Sequence, residues 1–187
     1  MSASAPGRLA GSVRWAVVPY APRPPFRLYA GEGHAPIVVA SAETIIASAK
    51  QAGGDAELTY LVSGKTRPVL ILGEPSSYEH REVPALRLLR LSKLSSDEQA
   101  RVRRHEDALL FHLAPDRFDL PEENAVLVGA LVRVHVDSID TGPPLGMLDD
   151  QESRVLGDRI IHFYQLDARL VLERHLRELM ARRRAQD

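Results

Sequence analysis

At 187 residues, with 44% hydrophobic and 26% charged side chains, the chain is long enough to bury one sizeable core. It has no cysteine, which excludes disulfide frameworks, thiolate metal sites and cysteine nucleophiles. Its net charge of -1 excludes a global positive field, so any nucleic-acid binding has to rest on a local patch. Residues 1–11 lack the apolar stretch of a secretory signal and no apolar run reaches roughly 18 residues, which predicts a cytoplasmic chain with no membrane span.

In chain order, residues 13–18 read as a β-strand ended by Pro19, and Pro22, Pro24 and Pro25 predict an extended loop after it. A short strand begins at Ile37. Ser41 then serves as an N-cap, Ile45 and Ile46 follow at helical spacing, and Gly53-Gly54 stops the helix. Strand character resumes over 58–62. The stretch Gly64-Lys65-Thr66-Arg67-Pro68-Val69-Leu70-Ile71-Leu72 places an arginine at the mouth of an apolar strand, with Pro68 read as the strand start. Gly64-Lys65-Thr66 copies the end of a phosphate loop, but that motif needs a glycine where Thr59 stands and a helix where a strand is predicted.

A polar turn over 74–82 leads to a strand over 83–91, in which arginines alternate with leucines. Ser95 and Glu98 have capping-box spacing and open a short helix carrying Arg101, Arg103 and Arg104. Residues 108–113 and 125–136 read as strands, the second with a bend or bulge at Gly129. In it Val132, Val134 and Val136 form a buried face against a wet face of Arg133, His135 and Asp137. Asp149 with Glu152 is a second capping box. Leu156, Ile160 and Phe163, then Leu172, Leu176 and Leu179, continue at helical spacing as one long helix or two abutting ones.

The order of these elements resembles the MazF, Kid and PemK family of toxins, growth-inhibiting endoribonucleases of toxin and antitoxin pairs. Gly11-Ser12-Val13-Arg14-Trp15-Ala16-Val17-Val18 is similar to the family's opening strand, and the segment from Gly64 to Leu72 to its Gly-x-x-Arg-Pro strand. Residues 118–120 and 125–128 resemble a later strand region, and Leu148-Asp149-Asp150 the closing element. The resemblance covers 11–19 and 64–167. It implies a mainly β chain with helices: an SH3-like (PemK-type) small barrel with a C-terminal helix and an α/β insertion after the first strand. The domain reading is one barrel over 1–187, with 21–63 as the insertion and 168–187 as a C-terminal helical extension. The connection over 19–64 is far longer than the family's usual loop.

The implied function is a metal-independent endoribonuclease acting on single-stranded RNA, a homodimer silenced by an antitoxin segment. The alternative is a non-catalytic barrel that binds nucleic acid or a protein partner. In the first reading Arg67 stabilises phosphoryl charge, since a planar guanidinium can hold two phosphate oxygens. Its structural alternative is an ion pair with Glu74 or Glu82. The family's threonine or serine at the end of the next strand is matched only by Ser92. Arg87 and Arg90 extend a cationic surface or are solvated. Trp15 stacks a base or packs in the core. His80 shuttles protons or is solvated. Neither His-x-x-x-His nor His-Glu-x-x-His occurs, so no metal is expected, nor any cofactor.

Overall fold

The computed structural model describes residues 9–29, 33–51, 53, 59–77 and 79–165. They fall in two compact units, one of Met1–Ala16 with Pro68–Asp187 and one of Val17–Arg67. The Leu172, Leu176 and Leu179 stripe, and with it the expected helical extension over 168–187, lies outside the described residues.

The elements in chain order are β1 (Ser12–Pro19), β2 (Phe26–Leu28), β3 (Ile37–Val39), α1 (Ala42–Gln51), β4 (Gly64–Ile71), β5 (Glu82–Arg90), α2 (Ser96–Arg103), β6 (Leu110–Leu113), β7 (Asn124–His135), β8 (Gly146–Met147) and α3 (Asp150–Phe163). β1 and β4 through β8 make one antiparallel sheet in the order β6-β7-β5-β4-β1-β8. The fold is therefore mainly β, with α3 the last described element, as the sequence implies. The sheet curls into a half-barrel. Asp119 N, just beyond the β6 edge, donates to Leu145 O beside the β8 edge at 2.6 Å, and Gly146 packs against the Phe118 ring. A Cβ at Gly146 would collide with that ring and lie 2.8 Å from Arg117 O, so only glycine lets the two ends approach this closely.

Two apolar clusters among the described residues help hold this unit together. The larger joins Val13, Leu70, Leu86, Phe111, Phe118, Val126, Val128 and Leu156, with Ile160 packed against it. Leu156 and Ile160 come from α3, whose apolar spacing sets that face against the sheet. The second joins Leu91, Val102, Leu110 and Ala125, so α2 covers the sheet near β6. Each fully buried aliphatic or aromatic side chain is worth roughly 1.5–3 kcal/mol of transfer free energy. Both expected capping boxes form: Glu98 N donates to Ser95 Oγ and Ser95 N to Glu98 Oε2, and Asp149 and Glu152 exchange the same pair of bonds.

The bend expected at Gly129 is a bulge. Leu86 pairs with Leu131 while Leu88 pairs with Val126, so β7 advances five residues where β5 advances two. The Phe163 ring from the end of α3 occupies the space a side chain at Gly129 would need, its Cζ 2.7 Å from the position of a Cβ. Beyond the bulge Val134 is buried while Arg133, His135 and Asp137 are exposed, matching the expected alternation.

Three expectations need correction. β4 begins at Gly64, not at Pro68, so Arg67 lies inside the strand; pairing with β5 starts only at Val69, so the missing N–H of Pro68 costs no bond on that side. The segment after Pro19 is not loop throughout, because β2 pairs antiparallel with β3, matching Phe26 to Val39 and Leu28 to Ile37. Of the strand expected over 58–62, residues 59–62 hold a single bridge between Tyr60 and Leu28; residue 58 lies outside the described residues. In this second unit α1 carries no buried residue, and Ile37 and Val38 are exposed.

Candidate nucleic-acid interface

Among the described residues four arginines are wholly or partly withdrawn from water, and they divide by what their guanidinium groups touch. Arg14, on β1, donates to Ser12 Oγ at 3.2 Å and to the carbonyl oxygens of Asp140 and Gly142 at 3.2 and 2.5 Å. Arg159, on α3, donates to the carbonyls of Asp107 and Leu110 at 2.8 Å and of His105 at 2.9 Å. Both serve as internal clips on backbone carbonyls. Arg67 and Arg87 differ: the Nε of each is shut off from solvent and has no hydrogen-bond partner among the described residues. A shielded N–H without an acceptor is costly, and among the described residues these are the two buried side-chain N–H groups left so.

The position of Arg87 follows from the bulge. It stands opposite Val69 of β4, but the β7 register skips it, so on that side no cross-strand neighbour faces it. Its strand neighbours Ala85 and Leu86 are fully buried. Arg67 belongs to the second unit, where its guanidinium carbon lies 6.0 Å from the centroid of the Tyr20 ring, within cation–π range. The acids expected as structural partners for Arg67 are engaged elsewhere. Glu74 accepts from Leu9 N and Ala10 N, and Glu82 lies 3.8 Å from Arg133.

Ser92 and Arg90 are brought together by an acid the sequence reading did not single out. Ser92 Oγ donates to Glu122 Oε2 at 2.9 Å, and Arg90 pairs with Glu122 Oε1 at 2.8 Å. Both are exposed, Ser92 in the turn that follows β5. The adjacent Glu123 accepts from Arg103 of α2 at 2.9 Å and 2.5 Å and lies 2.7 Å from His112 Nε2 of β6. The hydrogen bond from Arg103 outweighs partial burial and, with that of His112, holds its carboxyl at about 2. The one signal for this pair was Glu122-Glu123 lying directly before the β7 run. His105, next to His112, is pushed below the usual imidazole range first by burial and then by the Arg159 charge.

His80 is exposed in a left-handed turn with φ 58°, beside Arg81, which pairs with Asp137 at 3.0 Å. Trp15 is half-buried on β1, its carbonyl accepting from Asp140 N. No group of three or more metal-binding side chains occurs among the described residues, and no helix among them is long and apolar enough to cross a membrane.

No family model and no curated protein matches the chain. Among solved structures it is similar to the Mycobacterium tuberculosis toxin MazF-mt6, with a TM-score of 0.41 and 19% identity, over 55% of this chain and 90% of that one.

Proposed function

We propose that the chain is a metal-independent endoribonuclease of the MazF, Kid and PemK type acting on single-stranded RNA. What supports the reading is that Arg67 of the second unit and Arg87 of the first each lack an intramolecular partner at Nε, whereas Arg14 and Arg159 are bound to backbone carbonyls. A forked cation matches the two non-bridging oxygens of a phosphodiester. In this reading the ribose 2'-hydroxyl attacks the neighbouring phosphorus, the bond to the 5'-oxygen breaks, and a 2',3'-cyclic phosphate and a 5'-hydroxyl result. Arg67 stabilises the charge gathering on the phosphoryl oxygens, and Arg87 grips the polymer backbone. Ser92 orients the proton transfer, held by Glu122. The protein works in the cytoplasm as a homodimer, and an antitoxin segment silences it by competing for these arginines.

A second reading, a barrel that binds nucleic acid or a protein segment without cutting, draws on the engagement of Ser92 and Arg90 by Glu122, which occupies both groups. Incubation with labelled single-stranded RNA in EDTA separates the two. The expected result is cleavage that falls on the order of 100-fold in Arg67→Ala, the scale of removing one preorganised charge stabiliser. Binding with no cleavage in the unaltered protein selects the second reading.

A further inference from the structure

The unit of Val17–Arg67 contains a cleft of about 550 Å³, within the size range of ligand sites. Its lining includes Tyr20, Phe26 and Tyr60, all half-buried, and Arg23 and Arg27, both exposed; no aspartate or glutamate among the described residues lines it. We propose that this cleft binds the nucleotides flanking the phosphate held by Arg67, as an additional subsite for single-stranded RNA. The proposal rests on the RNA reading above for the identity of the polymer, and on the cleft for the rest.

The walls are fixed before any ligand arrives. Leu61 N donates to Arg27 O at 2.7 Å and Tyr20 N to Ser63 O at 2.8 Å, so the two sides are tied by backbone bonds. Phe26 and Tyr60 meet edge to face, with centroids 5.8 Å apart, which sets their ring planes. Aromatic surfaces at defined angles suit unstacked bases, and stacking of this kind tolerates any sequence. The charges complement the same ligand. The side chains of Arg23 and Arg27 have no hydrogen bond or ion pair to any described residue, whereas Arg81, Arg90, Arg103, Arg104 and Arg117 each face a carboxylate. Two free cations on a wall with no acid among its described residues attract a polyanion. Tyr20 joins this cleft to Arg67, because the ring that lines one end of it is also the ring beneath that guanidinium. A strand whose phosphate rests on Arg67 is thereby led past Tyr20 towards Arg23 and Arg27.

The full chain is titrated with a fluorescein-labelled 2'-O-methyl RNA ten-mer, which lacks the attacking hydroxyl, and binding is followed by anisotropy over a range of salt concentrations. An Arg23→Ser, Arg27→Ser double variant is expected to raise Kd at least about tenfold and to flatten the slope of log K against log salt by about 1.4, the value for two phosphate contacts on a single strand. Both side chains are exposed, so the fold is not at stake. A Kd and slope unchanged by the double substitution overturn the proposal, as does failure of the unaltered protein to bind the probe. Inorganic polyphosphate that displaces the probe as effectively as unlabelled RNA overturns the part given to the rings. Failure of the nuclease reading looks different: unmodified RNA then survives intact while the probe is still held through Arg23 and Arg27.

Discussion

Glu123→Gln removes one charge and leaves a side chain of nearly the same shape where α2, β6 and the start of β7 meet. The carboxylate accepts two bonds from Arg103 and lies 2.7 Å from His112, and its pKa falls from 4.5 to about 2. That difference corresponds to at most about 3 kcal/mol. Arg103 is 47% exposed, so water screens part of it, and the expected loss is about 1–2 kcal/mol at neutral pH. The sign follows from the depressed value: the carboxylate's contribution is complete above 4.5 and disappears as pH falls through 2. Urea unfolding of the protein and the variant should therefore show a gap that is constant above about pH 5 and shrinks to less than half by about pH 3. Equal stabilities at neutral pH, or a gap that persists undiminished to about pH 3, would refute the reasoning.

Two further substitutions probe the frame around the site. Gly146→Ala puts a methyl group into the Phe118 ring and 2.8 Å from Arg117 O, and a loss of about 1–3 kcal/mol is expected in thermal or urea unfolding. Arg159→Met keeps the stem but strands two carbonyls of the loop before β6 and that of Leu110 at its start; it should cost about 1–3 kcal/mol and speed amide exchange of the segment over 105–110, which hydrogen-exchange mass spectrometry reads directly.

The sheet and its two capped helices were legible because their signals are local. The Ser95 and Asp149 capping boxes each need only four consecutive residues, and the alternation over 132–137 needs only one strand. The early start of β4 was hidden because Pro68 carries a strong local sign of a strand start, while the partner that keeps Gly64–Thr66 extended is remote in sequence: Gly64 packs beside Val18 and Pro19. β2 was masked in the same way by the prolines before Phe26. At the interface, the residue types that bind phosphate were readable, but their state was not. Which arginines are free depends on where carbonyls and carboxylates arrive from distant segments: Asp140 and Gly142 claim Arg14, and Glu122 claims Arg90, leaving Arg67 and Arg87 unclaimed. Glu123 escaped notice for the same reason, since Arg103 and His112 reach it from two other elements.

The slip in β7 has a consequence for how this chain can vary. Consecutive β5 residues Ala85 and Leu86 point to opposite sides of the sheet, and the odd number of extra residues in β7 shifts its even positions from one side to the other. Val126 and Val128 join the cluster of Leu86, whereas Val132 and Val134 stand opposite Ala85 and Val83. One strand thereby furnishes valines to both layers with an unbroken every-other-residue spelling. The length of the stretch over 127–130 is thus under tighter constraint than its composition: a one-residue insertion or deletion there swaps inside for outside along half the strand, while most single replacements leave that arrangement intact.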